Sequence, residues 1–215
     1  MKMARQYTII DQLCLGFDPL LRAIAGSPKT TGRAYPGGSE KGAVLTPAES
    51  KHAAGLMRVN HAGEICAQAL YHGQALGSRG SATGEKLRQA AIEEGDHLAW
   101  CSQRLMELGS HTSYLNPLWY WGSFCLGLTA GMAGDRWSLG FVAETEKQVV
   151  KHLKGHLEQL PEKDEKSIRI LEQMQWDEEK HRQEAVHLGA ATLPQVVQKL
   201  MSWVSRVMVR TAYYI

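Results

Sequence analysis

The sequence predicts an all-α protein: a bundle of four long helices with one long crossover and an extra amphipathic helix at the C-terminus. Three observations support this prediction. Apolar residues recur every three or four positions over long segments, and glycine, proline and capping residues bound those segments. Alternating β-branched runs with hairpin turns, the signature of strands, are missing from the sequence.

The first 45 residues are predicted to precede the bundle. Tyr7–Ala25 is expected to form a short amphipathic helix, and Ser27–Gly42, rich in Gly, Pro, Ser and Thr, a mobile linker. Lys2 and Arg5 are followed by only a short apolar run, which Asp11 breaks, so we expect no secretory signal.

The bundle is predicted to occupy residues 46–192. Its first helix starts at Thr46-Pro47-Ala48-Glu49, which offers an N-cap hydroxyl, a proline at the first helical position and a capping-box glutamate. The predicted helical regions are, in order, 46–76, 83–108, 116–161 with a break near Gly134-Asp135, 162–188, and a C-terminal helix within 193–215.

A long connection separates the second and third core helices. It has to accommodate His111–Trp137, which is enough chain to cross the length of a bundle. One such crossover between two helical hairpins is the arrangement of ferritin-like folds, so the sequence predicts a ferritin-like four-helix bundle.

Composition narrows the classes of function. With 44% hydrophobic residues, 21% charged residues and a net charge of +2, bulk charge indicates no nucleic-acid partner. The four cysteines, Cys14, Cys66, Cys101 and Cys125, form no C-x-x-C pair, which favours a reducing compartment over a disulfide framework.

Two segments repeat a pattern that can bind metal. Glu94 and His97, like Glu178 and His181, are three residues apart, so each pair shares one face of a helix. A helix upstream of each pair carries a further glutamate: Glu64 lies 30 residues before Glu94, and Glu146 lies 32 residues before Glu178. The sequence thus contains one helical hairpin pattern twice.

These acidic residues interrupt the apolar faces that should point to the core. Four buried carboxylates would repel one another, and two divalent cations would balance their charge while the histidines stay neutral. Oxygen-rich sites with one imidazole per metal suit iron or manganese. The predicted metal ligands are Glu64, Glu94, His97, Glu146, Glu178 and His181.

For the other polar residues the sequence gives no firm prediction of function. A single Glu-x-x-His on a helix is common on protein surfaces, so the duplication carries the metal prediction. Glu93, Asp96, Glu144 and Glu179 point off the apolar faces and are expected in solvent or beside the ligands. His61 and His152 either orient ligands or move protons, or are ordinary half-buried histidines. Cys66 and Cys101 are expected to be core residues.

Two apolar elements favour contact with a membrane. Residues 115–134 contain no charged side chain but four glycines, which favours an interfacial or buried element over a span. The C-terminal helix places apolar residues on one side and Lys199, Arg206 and Arg210 on the other, with Tyr213 and Tyr214 at its end. Such a helix suits docking on anionic lipid; the alternative is packing against the bundle or a partner subunit.

The ligand motifs resemble those of the demethoxyubiquinone hydroxylases, the bacterial and mitochondrial enzymes of ubiquinone biosynthesis. The similarity covers residues 46–215 and the order and spacing of all six predicted ligands, and the N-terminal extension looks like that of bacterial members. Its motifs are Asn60-His61-Ala62-Gly63-Glu64, the Glu94/His97 and Glu178/His181 pairs, and Asn116-Pro117-Leu118-Trp119 through Gly134.

The resemblance implies two irons per chain, with Glu94 and Glu178 as candidates to bridge them. It implies insertion of one oxygen atom from dioxygen into the ring of a polyprenyl methoxy-methyl-benzoquinol. His152 resembles a family histidine proposed to help electron or proton transfer; its neighbour here is Leu153 rather than the tyrosine of some members. Implied as well are a peripheral position on the cytoplasmic face of the bacterial inner membrane and partner proteins of the pathway; a homo-oligomer stays open.

Two other functions remain as alternatives. A ferroxidase or iron-storage bundle would use the same ligands but would leave the two apolar elements unexplained. A non-catalytic carrier of quinone or lipid would use the apolar elements and would function without two irons per chain.

Overall fold

The computed structural model describes residues 18, 21–22, 28–40, 42, 44–78 and 82–215. Over these residues it contains α-helices and one 3₁₀ turn, Pro36–Ser39, and no strand, which confirms the all-α prediction. The predicted N-terminal helix, Tyr7–Ala25, lies outside the described residues except at three helical positions. The helices are α1 (Pro47–Gly77), α2 (Ala82–Glu107), α3 (Asn116–Met132), α4 (Asp135–Leu157), α5 (Glu165–His187) and α6 (Gln195–Ala212).

Local capping sets the helix boundaries close to their predicted positions. The Thr46 side chain accepts a hydrogen bond from the Glu49 backbone N–H, and Glu49 Oε2 accepts one from the Thr46 N–H at 2.7 Å, forming the predicted capping box. Gly134 separates α3 from α4 with a φ of +105°, a conformation that only glycine adopts without strain. The predicted break in the third helical region is therefore confirmed.

Helices α1, α2, α4 and α5 form the four-helix bundle. The α1/α2 and α4/α5 hairpins pack together, and the crossover helix α3 lies along α1. The arrangement is the predicted ferritin-like bundle with an additional C-terminal helix.

The apolar core of the bundle is divided into two clusters with a polar layer between them. One cluster contains Met57, Leu105, Leu153 and Ile170, and the other contains residues such as Leu87. On each of the four helices the predicted metal ligands lie between the parts that enter the two clusters. Apolar side chains thus cover the polar layer on both sides. The second cluster consists of Tyr71, Ala75, Leu87, Ala91, Leu139, Val142 and Ala185.

Helices α1 and α3 approach so closely that glycine is required at their contact. A Cβ atom on Gly73 would overlap backbone atoms of α3, and one on Gly127 would overlap the Leu70 carbonyl of α1. This close packing holds α3 against the bundle. None of the helices in the described part of the chain combines the length and apolarity needed to cross a membrane.

The C-terminal helix α6 is attached to the bundle at its end. Arg58 donates a hydrogen bond of 2.7 Å to the Tyr213 carbonyl, and the Tyr213 hydroxyl lies 2.7 Å from His52 Nδ1. Tyr213 therefore contacts α1 instead of lying free beside Tyr214, which is exposed. Leu200, Trp203 and Val204 remain exposed on the outer side of α6.

The described part of the predicted mobile linker also contacts the bundle. The Lys29 carbonyl lies against Gly95, where a Cβ atom would overlap it, and the Arg33 side chain forms ion pairs with Asp96 of α2 and Asp177 of α5. Residues 28–40, which we call the strap, are thus packed on two helices of the bundle.

We predict that Gly127→Ala destabilises the protein by about 1–3 kcal/mol, because the added methyl group forces α1 and α3 apart. Gly122→Ala is the matched control: it lies on the same helix, and a Cβ atom there meets nothing within 4 Å. Urea unfolding measures both free energies. A Gly127→Ala variant as stable as Gly122→Ala would contradict the close packing.

Candidate metal centre

The polar layer gathers all six predicted ligand side chains in the interior. Glu94, His97 and Glu146 are inaccessible to solvent, and the other three are at most 6% exposed. Glu64 comes from α1, Glu94 and His97 from α2, Glu146 from α4, and Glu178 and His181 from α5.

Three carboxylates surround one imidazole nitrogen. His97 Nδ1 lies 3.0 Å from Glu94 Oε2, 3.0 Å from Glu178 Oε1 and 3.5 Å from Glu64 Oε2. One ligand atom from each of these four residues lies within 4.8 Å of every other. A single ring nitrogen can donate only one proton, whereas a cation at the centre of the cluster could bind all four groups.

The other half of the layer is built around His181. Its Nδ1 atom lies 3.3 Å from Glu94 Oε1 and 3.4 Å from Glu178 Oε2. Glu94 and Glu178 therefore each direct one oxygen to His97 and the other to His181. The Tyr71 hydroxyl donates a hydrogen bond to Glu146 Oε1, which holds that carboxyl group at the edge of the same layer.

Protein groups compensate only part of the negative charge in this layer. Burial opposes the ionisation of Glu94 and Glu178, yet hydrogen bonds with His181 and His97 hold the pKa of both below the usual value. Burial raises the pKa of Glu64 well above its usual value, and repulsion from Glu178 and Glu94 raises it further. Burial and the same two carboxylates raise the pKa of Glu146. The layer thus favours the uptake of positive charge.

Several buried polar atoms also lack a hydrogen-bond partner, although the helices around them are closely packed. They are Glu94 Oε1, Glu146 Oε2, both Glu178 oxygens and His181 Nδ1. Although His97 Nδ1 lies 3.0 Å from Glu178 Oε1, the pair lacks the angles of a hydrogen bond. Orphaned carboxylate oxygens and an orphaned ring nitrogen in one buried layer fit divalent cations, and four carboxylates match the charge of two.

Each ligand histidine is oriented by a carboxylate from the other helix of the pair α2 and α5. His97 Nε2 lies 2.9 Å from Asp177 Oδ2, and His181 Nε2 lies 2.9 Å from Glu93 Oε2. In each case the carboxylate immediately precedes the Glu-x-x-His motif of the opposite helix. Because each Nε2–H donates to a carboxylate, the lone pair of each Nδ1 is directed into the layer.

A comparison with known protein families identifies the group to which the chain belongs. Residues 51–212 match the family described as ubiquinone biosynthesis protein COQ7. The chain belongs to the COQ7 family. This match, together with relatives named 3-demethoxyubiquinol 3-hydroxylase, confirms the predicted resemblance to the demethoxyubiquinone hydroxylases.

Individual relatives cover almost the whole chain. The 3-demethoxyubiquinol 3-hydroxylase of Polynucleobacter necessarius is 55% identical over 96% of this chain and 99% of the relative. Proteins of the same description from Acinetobacter baumannii and Nitrosococcus oceani are 52% and 50% identical, each over 98% of this chain and at least 99% of the relative.

The histidines predicted as helpers lie outside the ligand cluster of this COQ7-family protein. Burial lowers the pKa of His61 to about 4, and its Nδ1 lies 3.5 Å from Asn116 Nδ2. The His152 ring lies against that of His156 with centroids 3.9 Å apart and the ring planes tilted by 60°, and its Nε2 is buried without a partner. Within the described residues neither forms a hydrogen bond or ion pair with the six ligands, so their roles stay predictions.

The sequence analysis missed Asp177 and left Asp96 open between solvent and a place beside the ligands. Asp177 orients His97, and the available signal was its position directly before Glu178, which matches that of Glu93 before Glu94. Asp96 points off the apolar face as predicted, yet it is 1% exposed because the strap covers it. Glu144 and Glu179, by contrast, pair with neighbours on their own helices.

We predict that Glu178→Ala reduces metal binding at least about tenfold, because Glu178 directs an oxygen to both histidines. Glu179→Ala, which removes the adjacent carboxylate paired with Arg182, is expected to leave metal binding unchanged. Iron content after anaerobic loading and desalting measures both. Normal iron content in Glu178→Ala would refute its predicted role as a ligand.

Proposed function

We propose that this chain is a monooxygenase of ubiquinone biosynthesis that hydroxylates the ring of demethoxyubiquinol, a polyprenyl methoxy-methyl-benzoquinol, using dioxygen and two iron ions. The observation that carries the proposal is the buried carboxylate and histidine cluster in a chain whose relatives are named 3-demethoxyubiquinol 3-hydroxylase. The names of the relatives supply the substrate and the position of hydroxylation, and the cluster supplies the place for the metals.

The six side chains divide naturally between two irons. We assign Glu64 and His97 to one iron, Glu146 and His181 to the other, and Glu94 and Glu178 to positions between them. The assignment is supported by the oxygens of Glu94 and Glu178, which face both histidines. Two irons held there would supply the electrons and the Lewis acidity that activation of dioxygen requires.

The surrounding residues prepare the site for this chemistry. Asp177 and Glu93 fix the tautomers of the two histidines, and Tyr71 restrains one oxygen of Glu146. The apolar clusters on both sides of the layer exclude bulk water. A reactive oxygen species formed in this layer would thus be protected from premature reaction with water.

The crossover helix α3 offers a route for an apolar substrate. Its buried residue Tyr120 packs with Ile65 and Leu98, the immediate neighbours of Glu64 and His97 in the sequence. The outer side of α3 exposes Leu118, Leu126 and Met132. An apolar quinol that binds along α3 would therefore lie close to the proposed irons.

The outer side of α6 supports peripheral binding to lipid. It exposes Leu200, Trp203 and Val204, and the helix contains basic residues but no acidic one. We therefore propose that the protein docks on anionic lipid, on the cytoplasmic face of the inner membrane in a bacterial cell. The ferroxidase alternative does not explain these apolar surfaces. The alternative of a quinone or lipid carrier does not explain the buried cluster.

We predict that the iron-loaded, reduced protein exposed to ¹⁸O₂ with a short-tailed demethoxyubiquinol gives a quinol that contains one ¹⁸O atom in a new ring hydroxyl. Mass spectrometry of the product measures the incorporation. Glu146→Gln should abolish it by removing a charged metal ligand, while Glu144→Gln should not, because Glu144 pairs with Lys147 of its own helix.

Two outcomes would contradict the proposed reaction. Ferric mineral without any labelled quinol would favour the ferroxidase alternative. Tight binding of the quinol without bound iron and without any product would favour the carrier.

We also predict that the double substitution Leu200→Ser and Trp203→Ser weakens binding to vesicles of phosphatidylethanolamine and phosphatidylglycerol about tenfold or more, because it removes apolar area from the outer side of α6. Trp176→Ser is the matched control, since Trp176 is 65% exposed on α5. Co-sedimentation with the vesicles measures both. Equal binding of the double variant and the wild type would argue against docking through α6.

A further inference from the structure

The strap connects the N-terminal part of the chain to the edge of the proposed metal centre. The Thr31 backbone N–H donates a hydrogen bond of 3.0 Å to Asp96 Oδ1, and the Thr31 hydroxyl donates to the other oxygen. Lys29 lies against Gly95, which directly follows Glu94. The strap is thus in contact with the backbone of α2 between Glu94 and His97.

Arg33 is the residue of the strap that reaches furthest toward the metal ligands. Its Nε atom donates to Asp96 Oδ2 at 2.8 Å, and a terminal nitrogen donates to Asp177 Oδ2 at 2.7 Å. The guanidinium lies 4.8 Å from the centre of the Trp100 ring. Two carboxylates from different helices and one aromatic ring therefore fix its position.

Asp177 links Arg33 to His97. The same Asp177 oxygen that accepts from Arg33 lies 2.9 Å from His97 Nε2. A second terminal nitrogen of Arg33 lies 3.4 Å from Nε2, but a guanidinium cannot accept a hydrogen bond, so the Nε2 proton points at the carboxylate. The chain of contacts Arg33–Asp177–His97 leads from the strap to the Nδ1 atom in the polar layer.

The corresponding contacts at His181 are different. Its partner Glu93 is 30% exposed and accepts a further hydrogen bond from Gln89. In the part of the chain that the structure describes, no arginine or lysine forms an ion pair with Glu93. The two halves of the layer have matching ligands, but the carboxylate behind His97 is held by an arginine and the one behind His181 is not.

We propose that Arg33 is a positioning residue that holds Asp177 against His97 and so makes one of the two metal positions bind more tightly than the other. This inference rests on the proposed metal centre. Fixing the rotamer of Asp177 fixes the ring plane of His97, because the carboxylate accepts the Nε2 proton in one orientation only. The packing of the strap on α2 and α5 is thereby coupled to metal binding at the His97 position.

Anaerobic titration of the full chain with Co²⁺ tests the proposal, because the visible absorption of Co²⁺ reports its coordination. We expect Arg33→Ala to weaken one of two binding events about ten- to a hundredfold and to change the spectrum of that metal alone. Arg33→Lys keeps the charge but loses the two-pronged contact, so its affinity should lie between those of Arg33→Ala and the wild type.

Arg169→Ala is the matched control, since Arg169 pairs with Glu40 at the end of the strap but is exposed and does not contact Asp177. It should bind both metals like the wild type. Equal affinities in Arg33→Ala and the wild type, or an equal loss in Arg169→Ala, would overturn the role of Arg33. A wild-type protein that binds no Co²⁺ would instead contradict the metal centre itself.

Discussion

The need to neutralise four buried carboxylates governs the rest of this structure. They come from four different helices and are buried between two apolar clusters; Glu64, Glu94 and Glu178 converge on His97, and Glu146 lies near enough to be repelled by Glu178 and Glu94. The bundle brings no lysine or arginine into this layer among the described residues, and only two imidazoles face the oxygens. Divalent cations satisfy this constraint, which is why the buried cluster is better explained as a metal centre than as a structural ion-pair network.

The crossover helix and the strap both pack next to this polar layer. Glycines on α1 and α3 let the crossover helix lie directly against α1, so Tyr120 of this apolar helix packs with Ile65 and Leu98, the sequence neighbours of Glu64 and His97. On α2 and α5, the strap brings Arg33 to Asp96 and Asp177, and Asp177 in turn contacts His97.

The local part of this structure was predictable from the sequence. The capping box at Thr46, the break at Gly134 and the interruption of apolar faces by Glu94 and Glu178 depend on residues near one another along the chain. The strap was not predictable, because its composition is that of a flexible linker. Its order depends on ion pairs between Arg33 and Asp177, which are 144 residues apart. The contacts of Tyr213 with His52 and Arg58 were not predictable for the same reason, since these residues are equally remote along the chain.

The most direct test of the central claim is anomalous diffraction at the iron absorption edge from crystals grown anaerobically with ferrous iron. We expect two anomalous peaks inside the bundle, one beside Nδ1 of His97 and the other beside Nδ1 of His181. Peaks confined to the surface, or an interior without iron while the carboxylates keep their positions, would contradict the account.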